Sequence, residues 1–198
     1  MRELIEKALK QEDIELDSSK IEKLSEFANK LEWWNGTHNI TGARSKEAIL
    51  ANIIDAIIPI SFIDEPKSLL DVGTGAGFPG LILAIIWDSA NTILAEPLNK
   101  RASFLRYISS HLELKNVKVF KNRVEKLQHT PFDLISSRAV TDTALLLELT
   151  KKVSNNSTKF LFYKGSRVYK EIENISGYKE QIIQRGLRNY LILERNNG

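Results

Sequence analysis

Cysteine is absent from the 198 residues, which excludes disulfide scaffolds, thiolate metal sites and cysteine nucleophiles. Long apolar runs are missing as well. The longest, Leu81 to Trp87, falls far short of the roughly 20 residues needed to span a bilayer. No uncharged leader opens the chain: MRELIEKALKQEDIELD is charged throughout, so neither a signal peptide nor an arginine-rich, acid-poor transit peptide is expected. His38, His111 and His129 lack metal-ligand spacing, and no metal is expected. What is present is a core-forming balance of 42% apolar and 27% charged residues, which argues against disorder as the main state. The length suits one domain with an appendage. A soluble, cytoplasmic protein is the expectation.

The net charge of +3 is small, but it is unevenly spread. Residues 1–32 lean acidic, whereas Lys100, Arg101, Arg106, Lys115, Lys118, Lys121, Arg123 and Lys126 face only Glu113 and Glu125. The tail adds Lys164, Arg167, Lys170, Lys179, Arg185, Arg188 and Arg195. Such asymmetry permits a polyanionic partner such as nucleic acid, although solvated helices often carry similar charge.

Apolar spacing divides the chain in two. Leu4, Ile5, Ala8 and Leu9 repeat at helical intervals, as do Ile21, Leu24, Phe27, Ala28 and Leu31. Trp34 to Asn39 reads as a turn, and a third helix is expected from about Lys46 to Ile58, ending at Pro59. Strands and helices then alternate: Ser68–Val72, helix Pro79–Trp87, Thr92–Glu96, helix Lys100–Leu112, Val117–Phe120, Phe132–Ser136, helix Asp142–Val153 and Lys159–Tyr163. This order predicts βαβ units and a mostly parallel sheet. Glu180–Gln184 and Asn189–Leu193, joined through Gly186, predict a closing antiparallel hairpin. Phe27 is read as core, and Trp33 as open between base stacking and core.

The strongest local pattern is Leu69-Leu70-Asp71-Val72-Gly73-Thr74-Gly75-Ala76-Gly77-Phe78-Pro79-Gly80, which leaves the first strand and opens a helix. Glycines here allow a tight turn and close approach of the backbone to a ligand. Gly75 to Gly80 formally match the dinucleotide pattern, with Glu96 near the ribose-binding distance. However, Pro79 removes an N–H that a pyrophosphate would need, and Asp71 would repel a diphosphate. A carboxylate before the turn suits a cationic, phosphate-free cofactor such as S-adenosylmethionine, with Glu96 accepting from the ribose hydroxyls. The order of acidic strand end, glycine turn and second acidic strand end resembles the class I methyltransferases. An NAD(P)-dependent oxidoreductase is the alternative.

Elimination narrows the acceptor. Methylation of pyrimidine carbon usually needs a cysteine nucleophile, and none exists. Exocyclic amine methylation typically uses an N/D-P-P-Y/F loop after the fourth strand, where this chain reads Asp133-Leu134-Ile135-Ser136-Ser137-Arg138-Ala139. Guanine N7 carries a free lone pair and needs no general base, so positioning could be the main contribution. No catalytic residue is therefore singled out.

The chain resembles the bacterial 16S ribosomal RNA guanine-N7 methyltransferase G family over essentially its whole length. The motifs that carry this are Trp34-Asn35-Gly36-Thr37-His38-Asn39-Ile40-Thr41, Asp71 through Gly80 with its Phe78-Pro79-Gly80, and Lys100-Arg101-Ala102-Ser103-Phe104-Leu105. They continue with Asn122-Arg123-Val124-Glu125, Ser137-Arg138-Ala139 and Lys164-Gly165. The resemblance implies an α/β fold: a Rossmann-like seven-stranded sheet with helices on both faces and a terminal antiparallel hairpin, at about 64–198, after a helical extension at 1–63. It implies methylation of one guanine N7 in the decoding region, position 527 in standard rRNA numbering. It implies cofactor contacts at Gly73, Phe78, Val124, Glu125 and Arg138, to which the loop reading adds Asp71, Gly75, Gly77 and Glu96. Arg123, Lys164 and Asn39 are the residues expected to meet RNA, and 16S rRNA or the small subunit is the expected partner of a monomeric protein. Two positions depart from the family pattern. Gly36 stands where lysine is usual, and Asn52-Ile53-Ile54-Asp55-Ala56 where His-Ile-Leu-Asp-Ser is usual. These keep a catalytically inactive RNA-binding relative open, and Asp55 joins Asn39 as a candidate on the substrate side.

Overall fold

The short apolar runs after residue 67 assemble into one sheet. In the computed structural model, which describes residues 1–196, the strands are β1 (Ser68–Val72), β2 (Asn91–Ala95), β3 (Val117–Phe120), β4 (Leu134–Arg138), β5 (Lys159–Lys164), β6 (Tyr178–Arg185) and β7 (Arg188–Arg195). They pair in the order β3-β2-β1-β4-β5-β7-β6. The first five run parallel, while β7 lies antiparallel between β5 and β6. The expected hairpin is present, and its turn uses Gly186 at φ +56. Strand order reverses between β1 and β4, and in such sheets the carboxyl ends at that point form the ligand crevice.

Side-chain alternation along each strand builds two cores. Leu69, Leu94, Leu134, Leu161 and Ile192 share one with the helices α1 (Arg2–Gln11), α2 (Ser18–His38), α3 (Lys46–Ile57), α4 (Gly80–Ile86) and α5 (Asn99–His111). Leu70, Ile135, Phe160, Phe162 and Leu191 share the other with α6 (Thr143–Thr150) and the short α7 (Val168–Ile172). Helices thus cover both faces; α3 meets β5 and β7 through the Tyr163 and Tyr190 hydroxyls, which donate to Ala56 O and Asp55 O, and α1 and α2 pack on α3, α4 and α5. The expected end of the second unit at Gly198 lies outside the described residues.

One local expectation is overturned. Trp34 to His38 is helix rather than turn, because α2 continues to His38 and ends only at Asn39, whose φ is +49. Tertiary contacts override the turn-forming residues. The Trp34 ring stacks on Tyr107 at 5.2 Å, and the Asn35 side chain donates to Ala43 O at 3.2 Å and accepts from Thr41 N at 2.9 Å. β4 also begins later than expected. Asp133 is occupied as an acceptor for the Ser68 N–H and hydroxyl, at 2.8 and 2.9 Å.

Candidate functional site

The loop after β1 is held open by its glycines. Gly73, Gly75 and Gly77 have φ of +66°, +60° and +106°, a region that side chains disfavour. The N–H groups of Gly73 and Thr74 donate to Ala95 O at 2.9 and 3.3 Å, which ties the loop to β2, and the Gly77 N–H returns to Thr74 O at 2.9 Å.

Asp71 does not face the crest of this loop. It shares a side of β1 with Leu69, the side on which α4 packs, and is fully buried. Its Oδ2 accepts from the Gly80 N–H at 2.9 Å and its Oδ1 from the Ser136 hydroxyl at 2.7 Å. Burial pushes the carboxyl up to about 6 against the pull of these donors and of the Arg138 charge. Asp71 lies beneath the loop, with one protein donor on each carboxylate oxygen. A Cβ on Gly80 would run into its side chain. The start of α4 therefore offers a diphosphate a carboxylate instead of free N–H groups.

Glu96 follows β2 and is 2% exposed. Its Oε2 accepts from the Gly75 N–H at 3.0 Å and its Oε1 from the Leu98 N–H at 2.9 Å, with Arg101 4.0 Å away. Its chain neighbours Ala95 and Pro97 wall a cavity of about 260 Å³ together with Gly73, Val124, Glu125 and Val140. A Cβ on Gly73 would press 2.5 Å from Val140 Cγ2, so only glycine leaves this wall flat. An apolar slot with a few polar groups at its rim fits an adenine ring; Glu96 is not among the residues that wall it, and backbone N–H groups meet both of its carboxylate oxygens.

Phe78 is buried and bridges two parts of the site. Phe27 meets it edge-on at 5.4 Å, and the Arg138 guanidinium lies over its ring at 5.0 Å. Arg138, at the end of β4, donates to Asn52 Oδ1 at 2.9 Å and Asp55 Oδ2 at 3.1 Å. Asp55 Oδ1 in turn accepts from Arg188 Nε at 2.8 Å and the Tyr190 hydroxyl at 3.0 Å. Burial and Asp55 together push the Tyr190 hydroxyl well above its ordinary range. Asp55 is thus an anchor for two arginines rather than a solvent-facing substrate group. Arg188 and Tyr190 escaped the sequence reading. The one signal was Asn52 and Asp55, three apart on one helix face.

The three RNA candidates lie apart. Arg123 is exposed just before Val124. Lys164 is corrected: it is 8% exposed, and its Nζ donates to Glu171 Oε2 at 2.7 Å and to Thr141 O at 3.0 Å, so no free ammonium reaches a phosphate. Asn39 is exposed beside a separate cleft lined by Asn35, Gly36 and Arg44. Its neighbour Ile40 accepts from Arg101 Nε at 3.0 Å, which links that segment to Glu96. Trp33 is 69% exposed, whereas Phe27 is core. Among the described residues no cluster of metal-ligating side chains occurs, and no helix is long and apolar enough to cross a membrane.

The family model described as GidB, rRNA small subunit methyltransferase G, matches residues 20–190. A ribosomal RNA small subunit methyltransferase G from Aliarcobacter butzleri is 39% identical, over 96% of this chain and 98% of the relative. The protein of that name from Wolinella succinogenes is 43% identical, over 86% and 88%. Among solved structures, a putative O-methyltransferase from Klebsiella pneumoniae superposes with a TM-score of 0.64 at 13% identity, covering 86% of this chain and 90% of that one. A putative S-adenosylmethionine-dependent methyltransferase from Methanococcus maripaludis gives 0.63 at 14%, covering 86% and 93%. The two solved structures share the fold.

Proposed function

The chain belongs to the rRNA small subunit methyltransferase G family, and from that membership we propose that it transfers the methyl group of S-adenosylmethionine to guanine N7 of 16S rRNA, at position 527 in standard rRNA numbering. It is an rRNA methyltransferase. The observation that supports the cofactor assignment is the slot that Gly73 and Val140 shape, with Val124 and Glu125 on its walls. Bound there, S-adenosylmethionine would supply an electrophilic methyl group for the N7 lone pair, with the neutral thioether as leaving group.

The protein's part is positional. Gly73, Val124 and Val140 take the adenine between them, Glu125 stands at its rim, and Glu96 accepts from the ribose. Gly75 and Gly77 set the loop, Asp71 holds it from below, and Phe78 and Arg138 border the methionine end. No general base is needed because N7 bears no proton. Arg123, at the rim of the slot, and Asn39, in the separate cleft, are the residues that meet RNA. Residues 1–63 serve as an extension to the methyltransferase domain 64–198, and the protein acts as a cytoplasmic monomer on the small subunit or its rRNA, without a metal.

Titration calorimetry with S-adenosylmethionine, with NAD⁺ as control, tests the cofactor. Binding of the first alone is expected, and NAD⁺ binding alone would return the oxidoreductase reading. Methyl transfer to small subunits lacking the modification, followed by chain cleavage at 7-methylguanosine, then tests the atom and the position. Binding without transfer would favour the inactive relative.

A further inference from the structure

A second cavity, of about 370 Å³, lies beyond the loop between β4 and α6. That loop is the partition. Val140 lines the first cavity, while Ala139 and Thr141 line the second. Ala139 is held at φ +55, a conformation that a side chain takes only where its surroundings impose it. The other walls include Lys164 at the end of β5, Glu171 of α7 and Arg188 of β7.

Glu171 is the group here without an assigned task. All its bonds fall on Oε2, from Lys164 Nζ at 2.7 Å, the Thr143 N–H at 2.9 Å and the Thr143 hydroxyl at 2.6 Å. Among the described residues Oε1 has no protein donor. Burial pushes the carboxyl up, but the bonds from Lys164 and Thr143 outweigh it and hold the group below the usual carboxylate range. The side chain is therefore ionised and fixed in direction, with one acceptor to spare. It also walls a cleft of about 610 Å³ that Arg167 and Lys170 border. Both are exposed and suited to phosphate.

We propose that this second cavity receives the target base and that Glu171 Oε1 accepts hydrogen bonds from the N1–H and 2-amino group of guanine. The inference rests on the guanine-N7 reading above and adds the means of base selection. Guanine sets two donors side by side on that edge, whereas adenine places a lone pair at N1, which a carboxylate repels. N7 lies on the opposite edge of the purine, so a base gripped at Glu171 leaves N7 facing away and open to the methyl donor. A site built to bond a donor rejects the analogue lacking it, because the acceptor is left desolvated and unpaired.

The test uses small subunits reconstituted from ligated 16S rRNA carrying guanosine or inosine at the position the wild-type protein methylates. Inosine keeps N7 and N1–H but lacks the 2-amino group. The wild-type kcat/KM is expected to fall about tenfold on inosine. Glu171→Ala should be slowed at least as much on guanosine and should no longer distinguish the two bases, with S-adenosylmethionine affinity within about twofold of wild type. Should Glu171→Ala not fold, Glu171→Gln is read for the same loss of preference. Equal wild-type rates on the two bases, or an unchanged preference in the variant, overturns the assignment of Glu171. A wild-type protein that binds no S-adenosylmethionine or modifies no guanine N7 overturns the function itself instead.

Discussion

Asp71 and Gly80 act as one unit. A buried carboxylate is tolerated because the Gly80 N–H and the Ser136 hydroxyl meet it, and the N–H is available because Gly80 has no side chain to block the approach. Asp71→Ala leaves both donors buried and unpaired, which should cost about 2–3 kcal/mol of stability in urea melts. The pH dependence has a definite sign. Asp71 titrates at about 6 in the fold against an ordinary 3.8, so the folded chain binds the proton more tightly. Its stabilising contribution is complete below about pH 4 and is lost as pH rises through 6. The difference of about 2 units is worth on the order of 3 kcal/mol. The stability of wild type relative to Asp71→Asn should therefore fall between pH 4 and 7, and a flat difference would refute the buried charge. Lys164 and Arg123 diverge as well. Lys164→Ala removes one of the three donors on Glu171 Oε2 and should lower stability by about 1–2 kcal/mol, leaving the salt dependence of RNA binding unchanged. Arg123→Ala should reduce the slope of log affinity against log salt by about 1.

At the scale of elements, the sheet and its glycine loop were legible because they rest on local signals. β1 and β3 have the bounds that apolar runs suggest, and the left-handed glycines fall where the motif requires them. The end of α2 was not legible. Asn35 and Gly36 favour a turn locally, and only Tyr107, from another helix, shows why the helix continues. The same holds for the candidate site. Glycine and acidic positions are written in sequence, whereas the group that Asp55 organises joins α3, β4 and β7, more than 130 residues apart in the chain. Asp55 has its partners across the fold, and Lys164 meets Glu171, seven residues on, only through the short α7 that no apolar pattern announced, so each looked free in sequence. Asp55→Ala removes the shared acceptor of Arg138 and Arg188, both of them partly buried. It should cost about 3 kcal/mol and weaken S-adenosylmethionine binding by releasing Arg138 from Phe78. Unaltered cofactor affinity in a destabilised variant would confine Asp55 to a structural role.

For the molecule as a whole, the N-terminal helices are more than an attachment, because the path from them to the cofactor loop is one of direct packing. Phe27 of α2 is fully buried, meets Phe78 at 5.4 Å and Phe104 at 6.2 Å, and Phe78 carries Arg138 on its other contact. Helix, glycine loop and strand end therefore share one core, and a core packed at near-crystalline density transmits a missing volume to its neighbours. Phe27→Ala should cost about 3–5 kcal/mol and lower S-adenosylmethionine affinity as well, although the residue lines none of the cavities at the site. Phe27→Leu retains most of the volume and should restore most of both. Leu9→Ala supplies the comparison. It empties a buried position of α1, a helix packed on α2 and α3, so it should lower stability by about 2–5 kcal/mol and leave cofactor affinity intact at temperatures where the protein stays folded. If both alanine variants lose affinity in proportion to their stability, the coupling is global and Phe27 has no particular hold on the loop; if only Phe27→Ala does, the extension sets the geometry of the cofactor site through that ring.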